Sequence, residues 1–191
     1  MSILAVVIAA LGTAVRPAEG SAYTYKITTK GAITVDVRVF RRTVASTYAD
    51  RRGWTRAGIS FRRVGATSRS DFTLVLAAAD QMTRFSSICS PLYSCRAGRY
   101  VIINQNRWRY GVRHWAATLL AYRKMVLNHE TGHWLGLGHR YCRADRSLAP
   151  VMQQQSISLQ GCRPNPWPRA GEVQAVAFAT VLGGSDFAWW E

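Results

Sequence analysis

Apolar residues recur along this chain at two spacings, every second position in some stretches and every third or fourth in others. Ala32 to Phe40 alternates apolar with polar side chains, and a period of two predicts a strand buried on one face. Arg41 to Trp54 shifts to the helical spacing, with Val44, Tyr48 and Trp54 as the inward positions. Ile59 to Val64, Phe72 to Ala77 and Tyr100 to Asn104 are short apolar runs and predict three more strands. Met82 to Arg99 shows neither period and is expected to be irregular. A long helix is predicted from Trp115 to Leu137, with Leu119, Leu120, Tyr122, Val126 and Leu127 among its apolar positions. Beyond Gly138, Pro150, Pro164, Pro166 and Pro168 predict an irregular C-terminal part. Val173 to Phe178 reads as a short helix before a tail ending in Trp189-Trp190. This order of elements fits a small α+β or α/β domain built on one twisted sheet.

Composition bounds that picture without changing it. A chain of 191 residues is one ordinary domain with room for a core. The apolar run from Ile3 to Val15 has the length of a signal-peptide core and is short for a membrane span. Ala18 and Ala22 follow in a plausible cleavage zone, although no Lys or Arg precedes the run. Residues 1–22 are therefore set apart as a signal peptide or hydrophobic N-terminal segment, and 23–191 as a single domain. Four cysteines, Cys89, Cys95, Cys142 and Cys162, permit three pairings. Local pairing, Cys89 with Cys95 and Cys142 with Cys162, is the simplest. Disulfides need an oxidising compartment, which agrees with export to the cell surface or beyond. The formal charge is +15, carried mostly by scattered Arg residues. Such a surface suits acidic envelope polymers, but no basic run resembles a nucleic-acid arm, and nucleic acid is not expected as a partner.

The chemistry is concentrated in one short segment. Residues 129 to 139 read H-E-x-x-H-x-x-G-x-x-H. His129 and His133 stand one helical turn apart, so their rings leave the same face and can meet one ion. Glu130 sits beside the first ligand, where it can take a proton from a water on the metal. Gly136 lets the chain leave the helix through a positive-φ residue, and that break swings His139 round as a third ligand. Three protein ligands leave a fourth position open, as in catalytic zinc sites. Zn²⁺ is the expected cofactor, with one catalytic ion.

That pattern resembles the metzincin signature. Metzincins carry a methionine-containing turn beneath the metal, and Ala149-Pro150-Val151-Met152 stands at a suitable distance after His139. The resemblance makes Met152 the apolar floor under the imidazoles. A broader resemblance covers roughly residues 30 to 168. The stretches Arg52-Gly53-Trp54, Phe61-Arg62-Arg63-Val64, Ser94-Cys95-Arg96, Val101-Ile102-Ile103-Asn104, Ala149 to Gln155 and Leu159 to Pro168 resemble the actinobacterial family known as domain of unknown function 3152. That likeness implies an α+β, zincin-like fold: one twisted mixed sheet, a backing helix, a long active-site helix and a small irregular C-terminal subdomain. In some metzincins a tyrosine two positions beyond the methionine assists; here Gln154 stands there, able to donate to a developing oxyanion. Tyr141 is a second candidate donor, and Asn128 a candidate support for the ligands.

The expected function is a zinc-dependent endopeptidase acting on an extended peptide or protein substrate, monomeric, secreted or cell-surface. The substrate would pair with an edge strand between Phe85 and Arg99. The alternative is a non-catalytic, metal-stabilised envelope or binding protein, for which a fourth protein ligand would be diagnostic.

Overall fold

The computed structural model describes residues 20–143 and 146–181. Ile3 to Val15, Ala18 and Trp189-Trp190 lie outside the described residues, while Ala22 opens the first strand. Five strands form one mixed sheet in the order β2-β1-β3-β5-β4: β1 (Ala22–Lys30), β2 (Ser60–Arg63), β3 (Phe72–Ala77), β4 (Cys95–Ala97) and β5 (Tyr100–Asn104). The pairs β1–β2, β1–β3 and β3–β5 are parallel. The edge strand β4 runs antiparallel to β5, with Arg96 opposite Val101. Every residue of β3 is buried, which explains why it lacks a polar alternation, Thr73 apart: a central parallel strand is covered on both faces.

Helices α1 (Val37–Tyr48), α2 (Gln105–Tyr110) and α3 (Leu119–Trp134) cover one face. Their Phe40, Val44, Trp108, Tyr122 and Val126 pack on Ile27, Leu74, Leu76, Val101 and Ile103 of the sheet. The other face is smaller, with Val75, Ala77 and Ile102 under Met82 and Cys89. The fourth helix, α4 (Ala170–Val181), follows the irregular segment and packs Val173 and Val176 with Trp54 and Met152. This is the α+β architecture expected, with a backing helix, a long helix and an irregular C-terminal part. Among the described residues no helix is long and apolar enough to cross a membrane.

One predicted strand is absent. Ala32 to Phe40 is not extended throughout: Asp36 caps α1, its Oδ1 accepting from the backbone N–H groups of Arg38 at 2.7 Å and Val39 at 3.3 Å. The cap and the burial of Phe40, Val44 and Tyr48 one turn apart outweigh the β preference of the valines. The first strand lies earlier, in Ala22–Lys30, where Tyr25 and Ile27 alternate inward. The helix predicted from Arg41 to Trp54 starts sooner and stops at Tyr48, and Trp54 opens a separate 3₁₀ turn (Trp54–Ala57). The long helix is shorter than expected. Thr118 caps it, accepting from the Ala121 N–H at 3.1 Å, and Leu120, one of its apolar positions, is 49 % exposed.

Candidate metal centre

Helix α3 is enclosed from Met125 to Thr131, and Gly132 is buried with them. On one side lies the sheet. On the other lies the turn holding Met152, which is wholly buried. The two meet at Gly132, where an added Cβ would stand 2.3 Å from Met152 Sδ and 2.9 Å from Trp54 Cζ2. Only a glycine lets the helix sit this close to its floor. The helix then ends in a Schellman arrangement: Gly136 has φ 91°, its N–H donates to His133 O at 3.1 Å, and the Leu137 N–H donates to Gly132 O at 2.9 Å. This reversal brings His139 back toward the helix. The Arg140 N–H then donates to Met152 O at 3.0 Å, fixing the returning strand to the turn.

The three histidines converge. Nε2 of His133 lies 3.1 Å from Nε2 of His129 and 3.1 Å from Nε2 of His139, and all three ligand atoms fall within 4.8 Å of one another. Nδ1 of His129 is 2.8 Å from Val151 O, and Nδ1 of His133 is 2.8 Å from Leu137 O. A carbonyl can only accept, so each Nδ1 carries the proton and each Nε2 presents a lone pair. Burial holds the His129 imidazole down to about 3 and that of His133 to about 4, and lowers His139 as well. All three rings are thus neutral at pH 7. Lone pairs from neutral rings repel at such separations unless a cation lies among them. Zn–N bonds of 2.0–2.1 Å in a tetrahedron put ligand nitrogens about 3.3 Å apart, so the donor set fits a zinc ion. Among the described residues the cluster holds three histidines and no fourth protein ligand.

Glu130 is 6 % exposed and faces the same cleft, of about 390 Å³. Burial pushes its carboxyl up to about 8, and the charge of Arg96 pulls against that rise. Arg96 reaches the cleft from β4. Gln154, two positions past Met152, also lines the cleft. Tyr141 does not: it is 72 % exposed, over a shallow depression shared with Gln153 and Gln160. Asn128 is fully buried but supports the fold, not the ligand rings. Its amide donates to Pro166 O at 2.8 Å and its main-chain carbonyl accepts from Trp54 Nε1 at 3.0 Å.

The turn under the ligands is held by contacts that the sequence did not disclose. Glu172, 2 % exposed in the first turn of α4, accepts from the N–H groups of Met152 at 2.8 Å, Val151 at 3.1 Å and Arg169 at 2.7 Å. It caps its own helix and fastens the floor of the site with the same carboxylate. Gln155 and Asn165 clamp the other side: the Asn165 amide donates to Ala149 O at 2.7 Å, and the Gln155 amide to Pro150 O at 3.0 Å. The cysteines form the pairs Cys89–Cys95 and Cys142–Cys162. The first joins the cleft rim to β4, and the second ties the segment after His139 to the end of the irregular part. Both suit an oxidising compartment. A signal for Glu172 did exist, since it is one of ten acidic residues and stands alone in an apolar helix.

The family profile described as protein of unknown function (DUF3152) matches residues 6–166, and the chain belongs to that family. A search of curated proteins returns no match. Among solved structures, the chain is similar to the crystal structure of archaemetzincin from Methanopyrus kandleri. That likeness has 17 % identity and a TM-score of 0.45, over 87 % of this chain and 99 % of the other.

Proposed function

We propose that the chain is a zinc-dependent endopeptidase of metzincin type, working outside the cytoplasm. The observation that carries this reading is the convergence of three Nε2 atoms beside a buried carboxyl group in an open cleft. His129, His133 and His139 would hold the ion. Zinc in such a set acts as a Lewis acid, making water acidic and polarising a carbonyl. Glu130 accepts the proton of the attacking water and returns it to the leaving amine; its raised affinity for protons suits both steps. Gln154 donates from its amide to the oxygen that gains charge. An extended substrate lies along β4, the edge strand of the sheet among the described residues. The second reading, a site where metal only stiffens the fold, calls for a closed sphere of four ligands, and three are present among the described residues.

The test is cleavage of a peptide library by the zinc-loaded chain. Glu130→Gln should retain zinc and lose roughly 10²- to 10⁴-fold in kcat, and chelation should abolish cleavage. Cleavage that survives both would defeat the proposal.

A further inference from the structure

The cleft is lined by one acidic and one basic side chain among the described residues, Glu130 and Arg96, apart from the three histidines. Glu130 is committed to the reacting water in the reading above. Arg96 takes no proton from that water and gives none back. It stands on the three-residue edge strand β4, opposite Val101, so its backbone belongs to the strand along which an extended peptide would lie. Its side chain enters the cleft between that strand and α3. Burial makes its charge harder to keep, and the charge of Glu130 works the other way. A guanidinium stays protonated regardless. Apart from the histidines, which are built to hold a further cation, the described lining sets one carboxylate against one guanidinium, in a chain already at +15.

We propose that Arg96 is the specificity-determining residue of the cleft, and that the substrates are peptides with an Asp or Glu side chain next to the bond cleaved. This rests on the peptidase reading and names the substrate class for it. A guanidinium recognises a carboxylate through two parallel hydrogen bonds. Successive residues of an extended peptide advance by about 3.3 Å, so a guanidinium fixed on β4 reads one or two neighbouring positions and not the whole substrate. A neutral side chain at the same place cannot form that charged pair of hydrogen bonds.

The test uses the zinc-loaded full chain and paired peptides that differ only as Asp or Asn at each position flanking the cleaved bond. The wild type should favour Asp at one of these positions by about tenfold in kcat/KM, equivalent to one good charged contact, with the difference in KM. Arg96→Gln should level the pair, and Arg96→Glu should turn the preference toward Lys. Equal use of Asp and Asn by the wild type would overturn the inference. So would an Arg96→Gln chain that loses kcat on both peptides alike with their ratio kept, because Arg96 would then act on Glu130. Arg96→Lys, checked by thermal unfolding, guards against misfolding and should keep part of the preference. Binding of the same peptides to the Glu130→Gln chain, read by fluorescence anisotropy, separates the two proposals. Arg96-dependent binding of Asp peptides without wild-type cleavage would sink the peptidase reading and keep this one. Absence of both binding and cleavage would sink this one too.

Discussion

Beneath the imidazoles, Val151 and Met152 are fully buried, with their N–H groups on Glu172 and their carbonyls on His129 and the strand after His139. Around the rim of the same cleft, Ile88 and Ile157 stand 80 % and 52 % exposed, held by a small disulfide loop on one side and by the segment after Met152 on the other. The floor fixes ring orientation to within what a metal tolerates, because an outer hydrogen bond sets which nitrogen is offered and where. The rim has few neighbours to enforce one shape. Metal affinity and chemistry should therefore depend on the floor far more than on these exposed rim side chains.

The strongest way to break that division is Gly132→Ala. The new methyl group would meet Met152 Sδ and the rigid Trp54 ring, and overpacking of this kind costs about 3 kcal/mol. Thermal unfolding should show the loss, and zinc affinity should fall with it. If the variant is as stable as the parent, helix and floor are not in close contact. Next in size is Glu172→Gln, which keeps the shape and removes the charge that three N–H groups share. Zinc affinity, measured by competition with a chelating dye, should fall roughly 10- to 100-fold, the usual effect of losing an outer support. The His129 Nδ1 proton, followed by ¹⁵N NMR in the metal-free chain, should become labile. A lower melting temperature with unchanged zinc affinity would make Glu172 a support of α4 alone.

Proton linkage gives a subtler test of the floor. His129 and His133 are held below their ordinary 6.5 when folded, so the unfolded chain binds more protons and the metal-free fold weakens as pH falls below 6.5. Glu130 is held above its ordinary 4.5, up to about 8, so its contribution is full below 4.5 and is lost as pH rises toward 8. His139, lowered as well, works in the same sense, so the histidines outweigh Glu130 and give a net rise from 4.5 to 6.5, then a fall to 8. Each uncompensated group contributes about 1.4 kcal/mol per pH unit. Chemical denaturation across this range should place the site's optimum near 6.5, and Glu130→Gln should remove the fall above it. At the rim the smallest effect is expected. Ile157→Ser should change KM by less than about twofold and leave zinc affinity alone, as exposed positions generally do. A large loss of zinc there would erase the contrast.

How much of this was legible depended on whether the information was local. The ligands, the base and the turn at Gly136 lie within eleven positions, and each spacing follows from helix geometry. Strands β3 and β5 were bounded correctly because both are mostly buried and read as short, mainly apolar runs. The valines of 35 to 39 misled because their alternation mimics a strand, while the deciding contacts, the Asp36 cap and the sheet under Phe40, involve few residues or distant ones. Strand β1 was hidden by its half-exposed, lysine-bearing pattern. Helix α3 offered weak boundaries since it is buried nearly all round. Glu172 holds Met152 across twenty positions and Arg96 meets Glu130 in the same cleft from a still more distant part of the chain, and no spacing rule reaches that far.

The tether from Glu172 also orders events in time. Ligands, base and Met152 all precede it in the chain, and the carboxylate that anchors the floor arrives with the last described helix. A polypeptide still being synthesised, or one clipped ahead of α4, carries every ligand over an unfastened floor. The fastened floor under the three histidines is therefore withheld until this helix has docked.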